Sequence, residues 1–425
     1  MSVRRTLVVS IITYTLILVG LGALHSAVVA AAVPFVLYLG AVLLYRPGAL
    51  RVDASRTLSD DYVAPRGEVE VKLTITNTGS DLDEVCIRDE IPNGLETTGD
   101  TSAIVSLRSG ESFTLTYTVS GPRGAYRFRS VQVSGQEHFG LFRRQQTLGL
   151  ISRLYVLPSS PPLRTVMIRP LRTRGFAGPI PSRQGGPGTD FFGVRAYEPG
   201  DPPRWINWRL SARHPRELFT NEFERERIAD VGLILDARER NDVTVDGESL
   251  FEYSVEATAA LAETFLGEGN RVGLLVYGRG LERTFPGYGK YQCQRILRAL
   301  AQAQIGDSLV FDSLDYLPTR FFPAKSQIVL VSPLCEDDPP VLIRLRARGY
   351  QVLVVSPNPV GFETQALPEG QARELATRIA RAERNLWIHQ LRRVGISVVN
   401  WQVEHSLDTV IHTELRTQIR QAWRH

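Results

Sequence analysis

The chain opens on two uncharged apolar runs, Leu7–Leu24 and Ala27–Tyr45, separated only by His25 and Ser26. At about 1.5 Å per residue each run extends roughly 27 Å, close to one hydrocarbon core, so the pattern predicts two membrane-spanning helices. The second run starts too soon and continues too far for a cleaved signal peptide. Pro34 is tolerable within such a helical pair. From about Val52 to Leu157 the period becomes two. "EVEVKLTIT" puts Val69, Val71, Leu73 and Ile75 on one face. "SFTLTYTV" and "YRFRSVQV" repeat the alternation, and Asn77-Thr-Gly-Ser, Pro92-Asn-Gly and Ser109-Gly-Glu supply turns. Short strands with one apolar face predict an all-β sandwich.

Residues 158–188 are dense in Pro and Gly ("GFAGPIPSRQGGPG") and read as a linker. Beyond Asp230 continuous apolar strands alternate with helices. "VGLIL" ends at Asp236, a helical stripe spans Leu250–Leu266, and "RVGLLVYG", "QIVLVS", "QVLVVS" and "ISVVNW" follow with helices between them. The helix Gln371–Val394 carries Leu375, Ile379, Ala382 and Leu386 at helical spacing. Apolar strands of this kind predict a mainly parallel, doubly wound α/β sheet covered on both faces. Such sheets bind ligands beyond the carboxyl ends of their strands, which makes Asp236 a carboxylate of interest beside its plain role in a turn.

Charge orients the apolar pair. Arg4 and Arg5 precede it, Arg46, Arg51 and Arg56 follow it, and the link between the runs has no Lys or Arg. The positive-inside rule then predicts a two-pass chain in the cell membrane with both termini cytoplasmic. All but three of the 49 basic residues are arginine, which fits a GC-rich coding bias, and a net charge of +4 is too mild to imply nucleic acid. Cys86, Cys293 and Cys335 are far apart and odd in number, so neither a zinc site nor a disulfide framework is indicated. The sequence has no phosphate-binding Gly-x4-Gly-Lys loop, no His-Glu-x-x-His and no Gly-x-Ser-x-Gly elbow. "GEGNRVG" precedes a strand and is a turn. No catalytic residue, cofactor or metal is expected.

One stretch stands apart: "GVRAYEPGDPPRWINWRLSAR", Gly193–Arg213. Widened to Asp190–Asp230, it holds seven Arg and eight acidic residues, a balance of one negative charge. A nucleic-acid grip would be clearly basic. Arginines laced with their own counter-ions suit a structural joint or a partner surface. The candidate network is Asp190, Arg195, Asp201, Arg204, Trp205, Trp208, Arg209 and Arg213. Within it Asp201, Arg204, Trp208, Arg209 and Arg213 are expected to cluster round the Pro-Gly-Asp-Pro-Pro turn, whose prolines restrict the backbone.

"GTDFFGVRAYEPGDPPRWINWRLSAR" followed by "LFTNEFERERIADVGLILD" closely resembles the signature of the domain of unknown function 58 family, as do "GPRGAYRF" and "FGLFRR" upstream. The resemblance implies an organisation of membrane helical hairpin (1–50), β-sandwich (51–157), Pro/Gly-rich linker (158–188), signature segment (189–229) and von Willebrand factor type A-like α/β domain (230–425). It also implies association with MoxR-type AAA+ ATPases and with transglutaminase-like membrane proteins, beside the lipid bilayer. A metal-binding type A domain has Asp-x-Ser-x-Ser after its first strand. Here Asp236 is followed by Ala-Arg-Glu-Arg, so Arg238 and Arg240 replace both hydroxyls and would repel a cation. Asp236 is thus a degenerate metal-site position, which Ser332 and Asp337 could complete in principle, and its carboxylate is free to pair with a guanidinium. The reading is a membrane-anchored, non-enzymatic adaptor or assembly factor. Its rivals are a metal-dependent protein-binding module using Asp236 and a hydrolase whose residues converge only in three dimensions.

Overall fold

Helices α1 (Ser2–Gly22) and α2 (Ser26–Leu44) form where the apolar runs lie. A Cβ on Gly20 would fall 2.7 Å from Val29 Cγ2, so this approach needs glycine. The computed structural model describes residues 2–44, 50–136, 143–168, 173–174, 180–214, 216–306, 313–318 and 321–422. Among these described residues no helix is long and apolar enough to cross a membrane. The expected membrane helical hairpin, and with it the two-pass placement with cytoplasmic termini, is therefore corrected. Two features bear on the first of the two runs. Arg4 and Arg5 lie inside α1, and the uncharged remainder Leu7–Gly22 extends roughly 24 Å against a hydrocarbon core of about 30 Å. Arg56, counted as a flank, is in fact an interior residue, fully buried at its side chain. Arg46 lies outside the described residues.

The fold is mixed α/β and rich in sheet, and it divides into two compact units, Met1–Leu157 and Pro158–His425. In the first unit the strands are β1 (Val52–Leu58), β2 (Tyr62–Val63), β3 (Val69–Asn77), β4 (Leu82–Asp89), β5 (Glu96–Thr98), β6 (Ser102–Leu107), β7 (Ser112–Ser120), β8 (Gly124–Gln136) and β9 (Arg143–Val156). They make two sheets, ordered β1-β3-β7-β5 and β2-β9-β8-β4-β6. Val69, Val71, Leu73 and Ile75 are fully buried and share one core with Val85, Ile87, Phe128, Val131 and Val133 of the other sheet. Arg56 crosses that core. Its guanidinium is bidentate to Asp89, with Nε 3.0 Å from Oδ2, and it donates to the Leu150 carbonyl at 2.8 Å and lies over the Phe128 ring. Tyr117 adds a 2.6 Å hydrogen bond to Asp89, so the buried charges are paired and their remaining valences are filled.

The second unit contains β10 (Thr173–Arg174), β11 (Ile180–Ala196), α3 (Trp208–Ser211), β12 (Phe219–Ala237), β13 (Thr244–Val245), β14 (Glu248–Ser249), α4 (Leu250–Gly267), β15 (Arg271–Gly278), β16 (Leu281–Gly287) and α5 (Gly289–Gln302). Then come β17 (Gln327–Val331), α6 (Asp338–Ala347), β18 (Gln351–Pro357), α7 (Pro359–Ala366), α8 (Gln371–Arg393), β19 (Ser397–Trp401) and α9 (Leu407–Ala422). The main sheet is ordered β16-β15-β12-β17-β18-β19, parallel throughout except for β16 at one edge. β12 is longer than the apolar run "VGLIL": its first half pairs antiparallel with β11 and its second half lies centrally in the sheet. Ile180–Ala196, which the Pro/Gly content marks as linker as far as residue 188, is thus a bulged strand. One sheet face packs on α6 and α8 through Ile234, Ile328, Val354, Leu342 and Leu391. Gly232 makes room there for Phe322, whose ring would sit 2.6 Å from an added Cβ. The Ser249 hydroxyl caps α4, accepting from Phe251 N at 3.2 Å.

Candidate functional site

The chain leaves β12 just beyond Asp236, turns to β15 on one side and later returns to β17 on the other. That reversal is the topological switch point, where α/β sheets place their ligand crevices. Here the crevice is filled from within. Arg238 is fully buried and clamped between two buried carboxylates. Its Nε and Nη2 lie 2.8 and 2.6 Å from Asp236 Oδ1 and Oδ2, and its Nη1 and Nη2 lie 3.0 and 2.9 Å from Asp338 Oδ1 and Oδ2. Ser332, directly after β17, donates to Asp236 Oδ2 at 2.6 Å and accepts from Leu334 N at 3.1 Å. Asp338 also accepts from Cys335 N at 2.8 Å. Arg240 stands at the rim, 3.1 Å from Asp337 and 3.6 Å from Asp338.

Electrostatics follow the geometry. Burial pushes the Arg238 guanidinium toward neutrality, but the hydrogen bonds and charges of Asp236 and Asp338 outweigh it and raise its pKa. Asp338 is raised by its own burial, against the opposing pull of Arg238. The Cys335 thiol is pushed up to about 11, chiefly by burial, which leaves it a poor nucleophile at neutral pH. Asp236 Oδ1 accepts from Arg238 N and Nε, and its Oδ2 accepts from Arg238 Nη2 and the Ser332 hydroxyl.

A second arginine lies at the same edge. Arg384, from α8, is buried and donates to the Pro333 carbonyl at 2.5 Å, the Ser356 hydroxyl at 2.8 Å and Asn400 Oδ1 at 3.1 Å. These partners are neutral and come from the ends of β17, β18 and β19. Burial lowers its pKa to about 10.

The signature stretch is assembled differently from the expected cluster. Asp201 pairs with Arg195 at 2.6 Å and accepts from Glu198 N at 3.0 Å, while Arg195 also lies 3.7 Å from Glu222. The Arg195 hydrogen bond holds the Asp201 carboxyl below its usual range. Arg204 lies 5.9 Å from the centre of the Trp205 ring. Trp208 is 65% exposed, and Arg209 and Arg213 are exposed on α3 and just beyond it, away from Asp201's hydrogen bonds. Asp190 lies in β11, but its side chain is outside the described residues. The turn is fixed by residues the charge pattern did not indicate. Asn207 caps α3 by accepting from Leu210 N and donates to Asn221 at 2.8 Å, and Ser211 accepts from Phe219 N at 2.9 Å. Asp338 and Arg384 were also missed. The only sequence trace of the former is the pair Asp337-Asp338 before Pro339, where a helix start favours an acid.

Residues 193–376 match the family model described as "Protein of unknown function DUF58". The chain is also 27% identical over 316 residues to "Uncharacterized protein YeaD" of Bacillus subtilis (strain 168), an alignment covering 72% of this chain and 76% of that one. These matches support membership of the DUF58 family. Among solved structures, a FixG-related protein from Vibrio parahaemolyticus is similar to 25% of this chain and 95% of its own, at 13% identity and a TM-score of 0.18. Native alpha-2-macroglobulin from Escherichia coli is similar over 31% of this chain and 20% of its own, at 23% identity and a TM-score of 0.23. Likenesses at these scores carry no argument about the fold of the whole chain.

Proposed function

We propose that this DUF58 chain is a non-enzymatic adaptor or assembly factor, and that its C-terminal unit is a von Willebrand factor type A-like module presented to a MoxR-type AAA+ ATPase or to a client protein. The single observation behind the reading is Arg238. The crevice where an α/β enzyme keeps its reactive groups holds a guanidinium bonded to Asp236 and Asp338. Its serine is committed to Asp236 and its cysteine is protonated at neutral pH. A closed ion cluster of this kind serves to hold loops in place, and the loops it holds carry exposed Glu336, Asp337 and Arg240 at the rim. The sheet order, with its one antiparallel edge strand, supports the type A-like comparison.

The test is a titration of the purified chain with a purified MoxR-type ATPase from the same cell, followed by calorimetry. Micromolar binding that is lost on reversing the rim charges, Arg240→Glu with Asp337→Arg, is the expected result. Absence of binding together with turnover of ester, peptide or phosphoester substrates that is abolished by Ser332→Ala would overturn the proposal in favour of a hydrolase.

A further inference from the structure

The stripe Leu375, Ile379, Ala382, Leu386 does not face the sheet. Helix α8 turns Thr377, Arg384, Ile388 and Leu391 inward. Leu375, Ile379 and Leu386 are 58%, 52% and 68% exposed, and Ala382 is exposed with them. Four apolar residues spaced 4, 3 and 4 apart form a narrow seam instead of a broad apolar face. A seam of this width matches a second helix, whereas a helix lying on lipid shows a wider apolar arc and a uniformly basic border. Here the borders are of opposite sign, with exposed Arg378 on one side and exposed Glu383 on the other.

We infer that α8 is a self-association surface that pairs in parallel with α8 of a second copy of this chain. In heptad terms Leu375 and Ala382 occupy d, and Ile379 and Leu386 occupy a. Arg378 then falls at g and Glu383 at e. In a parallel pair each g residue lies beside the e residue five positions later on the other helix, so Arg378 of one copy meets Glu383 of the other, twice by symmetry. An antiparallel pair sets g against g and e against e, and Arg378 would lose this partner across the pair. The charges therefore specify both the occupant and its direction. Ile at an a position, followed by small Ala at d, suits close two-stranded packing.

The experiment uses the full chain. In a parallel pair the two copies of residue 382 face each other, so Ala382→Cys should form an oxidative dimer, with the parent chain and its Cys86, Cys293 and Cys335 as the control. By sedimentation, Leu386→Asp should weaken the dimer by roughly a hundredfold and Arg378→Glu by about tenfold, while Arg378→Glu with Glu383→Arg restores it. All these side chains are exposed, so melting should stay unchanged and separate loss of pairing from loss of fold. A chain that is monomeric up to tens of micromolar overturns the inference, as does a dimer indifferent to Leu386→Asp and the charge swap. Binding to phosphatidylserine vesicles without self-association assigns the stripe to a lipid surface and overturns it equally.

Discussion

Arg238 and Arg384 are buried at the same edge of the same sheet, the first between two carboxylates and the second among neutral oxygens. Burial disfavours the charged form of both. Counter-ions reverse that penalty at Arg238, whose pKa is raised, whereas the neutral oxygens around Arg384 do not reverse it, and its pKa falls to about 10. The contrast separates two ways of keeping a charge inside a protein. Ion pairing ties Arg238 to Asp236 and Asp338, so removing one member strands the others. Carbonyl and amide oxygens around Arg384 keep most of their backbone geometry without it.

The largest expected effect comes from breaking the first region. Arg238→Met leaves two carboxylates buried together and should cost about 3–5 kcal/mol in denaturant unfolding of the C-terminal unit. Adding Asp338→Asn should recover part of that loss. A cost below about 1 kcal/mol would mean that the carboxylates reach water or protons on their own. Arg384→Met should cost less, about 1–3 kcal/mol, because it forfeits hydrogen bonds to neutral groups. If it proves the more damaging of the two, dipoles rather than counter-ions dominate this edge and the comparison inverts.

A third, smaller effect sharpens the comparison with an acid. Glu268 follows α4 and has neutral partners such as Asn270, 3.2 Å away, and burial pushes it up to about 7. Its proton is held more tightly in the folded chain than at the ordinary value of 4.5. The associated stability is therefore fully present below about pH 4.5 and is lost as pH rises through about 7. Melting curves from pH 4 to 8 should fall less steeply for Glu268→Gln, with a gain at the alkaline end. Parallel curves for the parent and the variant would show that a water or cation shields this carboxylate.

Local chemistry decided what could be read in advance. Period two placed Val69, Val71, Leu73 and Ile75 on one face, and the structure buries all four, because a strand's alternation needs no knowledge of its partner. The pairing of Asp236 with an arginine was legible for the same reason, since Arg238 is two residues away. Asp338 lies a hundred residues further on, and no spacing rule reaches it. Ile180–Ala196 was hidden because its Pro and Gly lower strand propensity, while pairing with β12 supplies the order. The outward stripe of α8 shows another limit. Helical periodicity marks an apolar face but not the direction it points, and here Arg384 and Thr377 take the inward side. In the signature segment the charge tally pointed to paired arginines, yet the partner of Asp201 is Arg195 on β11, which that tally did not single out.

β12 has a mechanical consequence. One uninterrupted strand from Phe219 to Ala237 forms an arm of the outer ribbon with β11 and then the middle of the parallel sheet. A pull on the ribbon along this axis loads the hydrogen bonds to β15 and β17 in shear, many at once, instead of peeling them singly. The load is therefore shared along Val231–Leu235 before it reaches Asp236, where the Arg238 clamp ties the end of the strand to Asp338.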